Sequence, residues 1–196
     1  LKGKDLSDQT KAAALLPAPT VLSIVSRVAL ALDYAHTQGV VHRDIKPANI
    51  MYEAASDSVK VTDFGIARIT DSSKTKTGLV LGTPSFMSPE QISGKPVDGR
   101  SDLYSLAVMM FQMLTGRLPF EGSTLTELMY KIANADPSHL SLYQPKLPAS
   151  YELFMAKALA KKAAERFQTG AEFAAALAQL GHNGNEESSA PDISLI

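Results

Sequence analysis

One polar segment constrains the fold of this chain more than any other feature. Residues 42–49 read HRDIKPAN, and residues 63–65 read DFG. Ahead of this segment, between residues 20 and 35, apolar side chains recur at three- and four-residue intervals, and Gly39 stands where a helix C-terminus would be capped. The pattern predicts an amphipathic helix that leads directly into a polar loop.

The rest of the chain contains short β-prone pieces and longer helical patterns. The β-prone pieces predict two small ribbons that flank loops, at residues 40–41, 50–52 and 59–62. Later helices are predicted at residues 101–115, 124–134, 150–161 and 169–180. Their end signals are two capping-box pairs and two closing glycines: Thr124 with Glu127, Thr169 with Glu172, Gly116 and Gly181. The predicted fold class is α+β and mainly α-helical.

Length and composition indicate one compact domain. With 196 residues, of which 45% are hydrophobic and 20% charged, the chain can bury one substantial core. We expect a domain over residues 1–181 and a polar linker or tail over residues 182–196. The longest apolar run, residues 103–114, is shorter than the roughly 20 residues that a membrane span needs. It therefore predicts a buried helix.

Charge and cysteine content exclude several classes of function. The formal net charge is −1 and the basic residues are scattered, so neither nucleic acid nor a membrane surface is an expected partner. The chain has no cysteine, which excludes disulfides, thiolate zinc sites and cysteine nucleophiles and fits a cytoplasmic location. His36, His139 and His182 lack metal-ligand spacing, so we expect them to be structural or exposed.

Five pieces of the sequence, in this order, resemble the C-terminal lobe of a eukaryotic-type Ser/Thr protein kinase. They are the HRDIKPAN loop, the DFG triplet, residues 82–90 (GTPSFMSPE), Asp102 at the head of the apolar helix, and Arg166. Ser88 replaces the usual Ala of the family, and Phe86 stands where bacterial relatives usually have Tyr. The resemblance implies a kinase-like C-terminal lobe in which small β-ribbons carry the catalytic loops. Residues 63–68 and 87–91 look particularly like bacterial members.

The resemblance implies a catalytic set for phosphoryl transfer from ATP. Asp44 would accept the proton of the attacking hydroxyl, and Lys46 would neutralise charge on the transferring phosphoryl group. Asn49 and Asp63 would hold Mg²⁺ through hard oxygen ligands. Met51 corresponds to the apolar floor beneath the adenine. Lys46, Asn49, Met51 and Asp63 are therefore the expected ATP-binding residues.

The same resemblance implies a structural set. His42 and Phe64 would pack together and fix the position of the DFG loop. Asp102 would anchor the backbone at the start of the HRDIKPAN loop. Glu90 would be buried against Arg166, because a bidentate guanidinium allows a buried carboxylate to keep its charge.

Residues 70–90 are expected to engage the protein substrate and to regulate activity. Thr83 would hydrogen-bond near the catalytic base and favour Ser or Thr substrates. Thr75 and Thr77 lie in a polar stretch, and a phosphate on either would pair with Arg43 and order the loop. This is a hypothesis of activation by autophosphorylation.

The segment before residue 42 contains no glycine-rich phosphate loop and no Val-Ala-Ile-Lys strand. We therefore expect the N-terminal kinase lobe to be a missing partner, the fragment alone to be inactive, and Ile50, Met51 and Phe64 to be exposed. A pseudokinase or scaffold lobe that acts by protein binding is the alternative. A small-molecule phosphotransferase is a third possibility, but such relatives generally lack the segment at residues 83–90.

Overall fold

The computed structural model describes residues 3–64 and 84–186. These residues form the following elements in chain order: β1 (Lys4–Asp5), α1 (Ala18–Thr37), β2 (Ile50–Glu53), β3 (Ser58–Val61), α2 (Pro89–Ile92), α3 (Gly99–Thr115), α4 (Leu125–Asn134), α5 (Ala149–Ala158) and α6 (Gly170–Glu186). Short 3-10 turns include Pro47–Asn49 and Pro84–Phe86. The predicted class, α+β and mainly α-helical, is confirmed.

Helix α3 is the centre of the core. Fourteen of its 17 residues are buried, as expected for a helix that is apolar on all sides. Helix α1 packs against both α3 and α6, and α5 also contacts α3 and α6. Between α5 and α6, the rings of Phe154, Phe167 and Phe173 lie with centroids 4.9 to 5.1 Å apart. Each such buried side chain contributes about 2 kcal/mol through removal of apolar area from water.

Helix α1 is long and apolar enough to cross a membrane by length and composition alone. In the structure, one face of this helix is part of the core: Val21, Leu22, Ile24, Val25, Val28, Ala29, Leu32 and Ala35 are buried. A core helix of a globular domain meets the same criterion. Its packing against α3 and α6 accounts for its apolar composition.

The β-structure differs from the prediction. Within residues 3–64 and 84–186, one three-stranded antiparallel sheet, in the order β1-β2-β3, replaces the two predicted ribbons. Ile50 pairs with Val61, and Lys4 pairs with Tyr52. Residues 40–41 form no strand. The two-residue β1 has no apolar alternation, so only its distant pairing partner reveals it.

Most helix ends follow the predicted signals, with exceptions. Gly116 adopts a left-handed conformation (φ 72°) and caps α3 as predicted. Gly181 does not end α6, which continues to Glu186, so that prediction was wrong. Helix α5 ends at Ala158, three residues earlier than predicted. Glycine permits a left-handed cap but does not require one.

The two predicted capping boxes are half formed. The hydroxyls of Thr124 and Thr169 accept the backbone N–H of Glu127 and Glu172, as predicted. The carboxylates, however, accept from the residue before each cap, with Glu127 bound to the backbone N–H of Ser123 at 2.8 Å and Glu172 to that of Gln168 at 2.8 Å. Each glutamate still satisfies an orphan amide, one position earlier than in a capping box.

Candidate active site

The HRDIKPAN loop connects α1 to β2, and the first turn of α3 anchors its backbone. Asp102, in the first turn of α3, accepts the backbone N–H of His42 at 2.8 Å and that of Arg43 at 2.7 Å. The Asp102 side chain is only 1% exposed. A buried carboxylate requires such donors, so Asp102 and the loop hold each other in place.

Two residues of the site have an unusual backbone conformation. Arg43 has φ 69° and Asp63 has φ 55°, in the left-handed region that non-glycine residues rarely adopt. Strained residues persist only where the surrounding contacts determine them. At Arg43, that contact is the hydrogen bond to Asp102.

His36 belongs to this anchor; the sequence led us to expect a structural or exposed histidine, but it did not indicate Asp102 as its partner. Its Nε2 lies 2.8 Å from Oδ2 of Asp102, and its side chain is 16% exposed. The ring lies so close to Gly99 that a Cβ there would be 2.5 Å from Nδ1. The available signal was its position four residues after Leu32, on the buried stripe of α1.

Asp44, Lys46 and Asn49 form a compact cluster. Lys46 Nζ lies 2.8 Å from Oδ2 of Asp44. Asn49 Nδ2 donates to the carbonyl oxygen of Asp44 at 2.7 Å and to its Oδ2 at 3.1 Å. Asn49 is buried, whereas the Asp44 side chain is 45% exposed. The carboxylate is thus oriented from one side and accessible from the other.

The β2–β3 hairpin brings Asp63 back to this cluster. Thr62, directly before Asp63, donates its backbone N–H to the carbonyl oxygen of Asn49 at 2.9 Å. The carbonyl oxygen of Thr62 lies 2.8 Å from His42 Nε2, and the His42 and Phe64 rings lie 4.8 Å apart. Asp63 itself is exposed. The chain therefore places the backbone of Asp63 next to that of Asn49.

Glu90 and Arg166 form a buried ion pair. Arg166 NH1 and NH2 donate to the two carboxylate oxygens of Glu90 at 2.7 and 2.8 Å. The side chains are 1% exposed for Arg166 and 12% for Glu90. Burial acts to raise the pKa of Glu90, but hydrogen bonds from Arg166 and Ser101 outweigh it, and the pKa lies below its ordinary value. The pair fixes α2 to the loop that precedes α6.

The remaining candidate residues lie on β2, shortly after β3, or outside the described residues. Met51 is half-buried on β2, opposite Lys60 and Asp5. Phe64 is also half-buried. Ile50 is fully buried, so the prediction that Ile50 is exposed was wrong. It points into the core because alternate residues of a strand face opposite sides. Thr75, Thr77 and Thr83 lie outside the described residues.

Asn49 and Asp63 are the candidate oxygen ligands for a divalent cation at this site. Among residues 3–64 and 84–186, no group of three or more His, Cys, Asp or Glu side chains could hold a metal ion. Mg²⁺ typically takes one or two protein oxygens together with water and substrate phosphates. Asn49 directs its Nδ2 to Asp44, which leaves its amide oxygen without a role in that contact and able to serve as a cation ligand.

Comparison with known proteins assigns the family. Residues 1–178 match the model of the protein kinase domain. The chain is 43% identical over 175 residues to the serine/threonine-protein kinase PknB of Mycobacterium tuberculosis, covering 88% of this chain and 28% of that protein. It is 42% identical over 167 residues to the serine/threonine-protein kinase Pkn1 of Myxococcus xanthus, covering 83% and 24%.

A solved structure agrees with these sequence relatives. The crystal structure of the Mycobacterium tuberculosis PknI kinase domain matches with a TM-score of 0.72 and 33% identity, covering 92% of this chain and 63% of that one. By comparison, the chain spans little more than a quarter of the length of its sequence relative PknB. The predicted kinase-like fold is confirmed, and the chain belongs to the protein kinase domain family.

Proposed function

We propose that the protein containing this chain is a Ser/Thr protein kinase that transfers the γ-phosphoryl group of ATP to Ser or Thr hydroxyls of proteins. The observation that carries the proposal is the Asp44–Lys46–Asn49 cluster. It presents an oriented, accessible carboxylate beside a cation. Phosphoryl transfer requires mainly positioning and charge neutralisation, and both are provided by such a cluster.

Each member of the cluster has a distinct task in this proposal. Asp44 accepts the proton of the substrate hydroxyl and aligns that oxygen for in-line attack. Lys46, 2.8 Å from Asp44, offsets negative charge on the transferring group. Asn49 holds Asp44 through Nδ2 and offers its amide oxygen to a cation. Asn49, together with Asp63, would hold Mg²⁺, whose positive charge would offset the negative charge of the phosphates.

In this proposal, ATP binding requires residues of the N-terminal kinase lobe as well as residues of this chain. Asn49 and Asp63 would hold the Mg²⁺ ions of the nucleotide, and Met51 would lie beneath the adenine. These 196 residues include no glycine-rich phosphate loop and no Val-Ala-Ile-Lys motif. We therefore expect the full-length protein to be active and the isolated chain to be inactive.

The test is phosphate incorporation by the full-length protein with ATP, with and without Mg²⁺, on itself and on a generic Ser/Thr protein substrate. We expect Mg²⁺-dependent phosphorylation of the substrate and phosphate on Thr75 or Thr77, located by mass spectrometry. A folded full-length protein that phosphorylates neither would contradict the proposal and favour a lobe that acts by protein binding.

A further inference from the structure

Helix α2 is short, and contacts in its first turn fix it to the core. Ser88 is fully buried and forms a complete capping box with Gln91. The Ser88 hydroxyl accepts the backbone N–H of Gln91 at 3.3 Å, and Gln91 Oε1 accepts the backbone N–H of Ser88 at 2.9 Å. Glu90, between them, is bound to Arg166. The position of the Gln91 side chain is therefore well determined.

The same side chain also reaches the catalytic loop. Gln91 Nε2 donates to the backbone carbonyl oxygen of Arg43 at 2.9 Å. This oxygen belongs to the peptide group that joins Arg43 to Asp44, and the N–H of that group lies 3.3 Å from His42 Nδ1. Both polar atoms of the peptide before Asp44 are thus engaged.

The orientation of the Gln91 amide follows from its two partners. Ser88 offers an N–H, which needs the amide oxygen, and Arg43 offers a carbonyl oxygen, which needs the amide nitrogen. The reverse orientation would place oxygen against oxygen and N–H against N–H.

The other capped helices show that capping alone does not require glutamine. At the equivalent position, α4 has Glu127 and α6 has Glu172, and both carboxylates accept from backbone N–H groups. A carboxylate cannot donate at neutral pH. The donor atom of Gln91 is therefore additional to the cap and is used only on the catalytic loop.

We propose that Gln91 is a positioning residue. It links the segment before α2, which runs from the Pro84–Phe86 turn to Ser88, to the peptide group between Arg43 and Asp44, and this peptide group orients Asp44. The inference rests on the proposed kinase function. Arg43 has a strained backbone with φ 69°, held at its N–H by Asp102 and at its carbonyl oxygen by Gln91. Without the second contact, the peptide can rotate and displace the Asp44 carboxylate from the attacking hydroxyl.

The test compares two variants of Gln91 with a matched control in the full-length protein. Gln91→Glu keeps the acceptor for Ser88 and removes the donor to Arg43, and Gln91→Leu removes both. The control is Gln144→Glu, because Gln144 Nε2 also donates to a backbone carbonyl oxygen, that of Leu114 at 2.9 Å, away from the site. The readouts are kcat, KM for ATP, thermal midpoint, and hydrogen exchange of residues 42–46.

We expect both Gln91 variants to lower kcat about tenfold, because small displacements of a reacting group reduce the rate steeply. KM for ATP should change less than about twofold, since no nucleotide contact is removed. Hydrogen exchange at residues 42–46 should become faster in the Gln91 variants, whereas Gln144→Glu should change neither kcat nor this exchange.

Three results would overturn the inference: kcat within about twofold of the parent in both Gln91 variants, an equal loss in Gln144→Glu, or unchanged exchange at residues 42–46. A parent without kinase activity would instead contradict the proposed function. In that case hydrogen exchange, which needs no activity, still decides whether Gln91 holds the loop.

Discussion

Replacement of Arg166 by methionine tests how the buried ion pair stabilises this fold. Arg166→Met keeps a long apolar side chain but removes the guanidinium that binds Glu90. It also removes the donors to the carbonyl oxygens of Ala160 and Lys161. Glu90 would then be a buried carboxylate with the Ser101 hydroxyl as a remaining partner.

The expected loss of unfolding free energy is about 4 kcal/mol at pH 7.5. Removal of one partner from a buried ion pair typically costs about 3 to 5 kcal/mol, since the other charge remains buried. The carbonyl oxygens that lose a donor add to the loss, and the 12% exposure of the Glu90 side chain reduces it. These opposing corrections leave the value near the middle of the range.

The loss should depend on pH. In the parent, the pKa of Glu90 is lowered, so its stabilising contribution is complete above the unfolded pKa of about 4.3 and is lost as pH falls through the folded pKa. In the variant, burial without the guanidinium raises the pKa of Glu90, and protonation relieves the penalty as pH falls. The variant should therefore differ less from the parent at pH 5 than at pH 7.5.

The assay is urea unfolding followed by circular dichroism at both pH values. The control is Glu90→Gln combined with Arg166→Met, which removes the uncompensated charge and should be more stable than Arg166→Met alone. A loss below about 1 kcal/mol, or an equal loss at pH 5 and pH 7.5, would refute this account of the ion pair.

Three further predictions concern other groups. Asp102→Asn should lower kcat about 10²-fold, because an amide cannot accept with both of its polar atoms from His42 and Arg43; an unchanged kcat in steady-state kinetics would contradict this. Burial lowers the pKa of Lys161 to about 8, so the parent should gain unfolding free energy relative to Lys161→Met as pH rises from about 8 to 10, as measured by urea unfolding. Arg43→Ala should abolish the activation that phosphorylation brings, and equal activity of the phosphorylated variant and parent in a peptide assay would refute that switch.

Much of the helical framework could be predicted because its signals are local. Apolar spacing located α1 and α3, and the glycine after α3 was correctly identified as a left-handed cap. The end of α6 was misplaced because Gly181 remains helical. A glycine permits a left-handed cap but does not by itself end a helix.

The features that were missed depend on distant partners. Strand β1 pairs with β2, which is more than 40 residues away, and its own two residues carry no strand signal. His36 bonds to Asp102 across 66 positions, and Gln91 to Arg43 across 48. Motif resemblance named the contact of Asp102 with the catalytic loop and that of Arg166 with Glu90, but it did not indicate His36 beside Asp102 or Ser101 beside Glu90. Such contacts follow from the tertiary arrangement and not from local spacing.

The most direct test of the central claim is the rate of phosphoryl transfer by the Asp44→Asn variant of the full-length protein, measured by rapid quench with saturating ATP and Mg²⁺. This change keeps the size of the side chain beside Lys46 and Asn49 and removes its capacity to accept a proton. We predict a fall of about 10²- to 10⁴-fold in the rate with little change in KM for ATP. A rate within about threefold of the parent would contradict the role of Asp44 as the catalytic base.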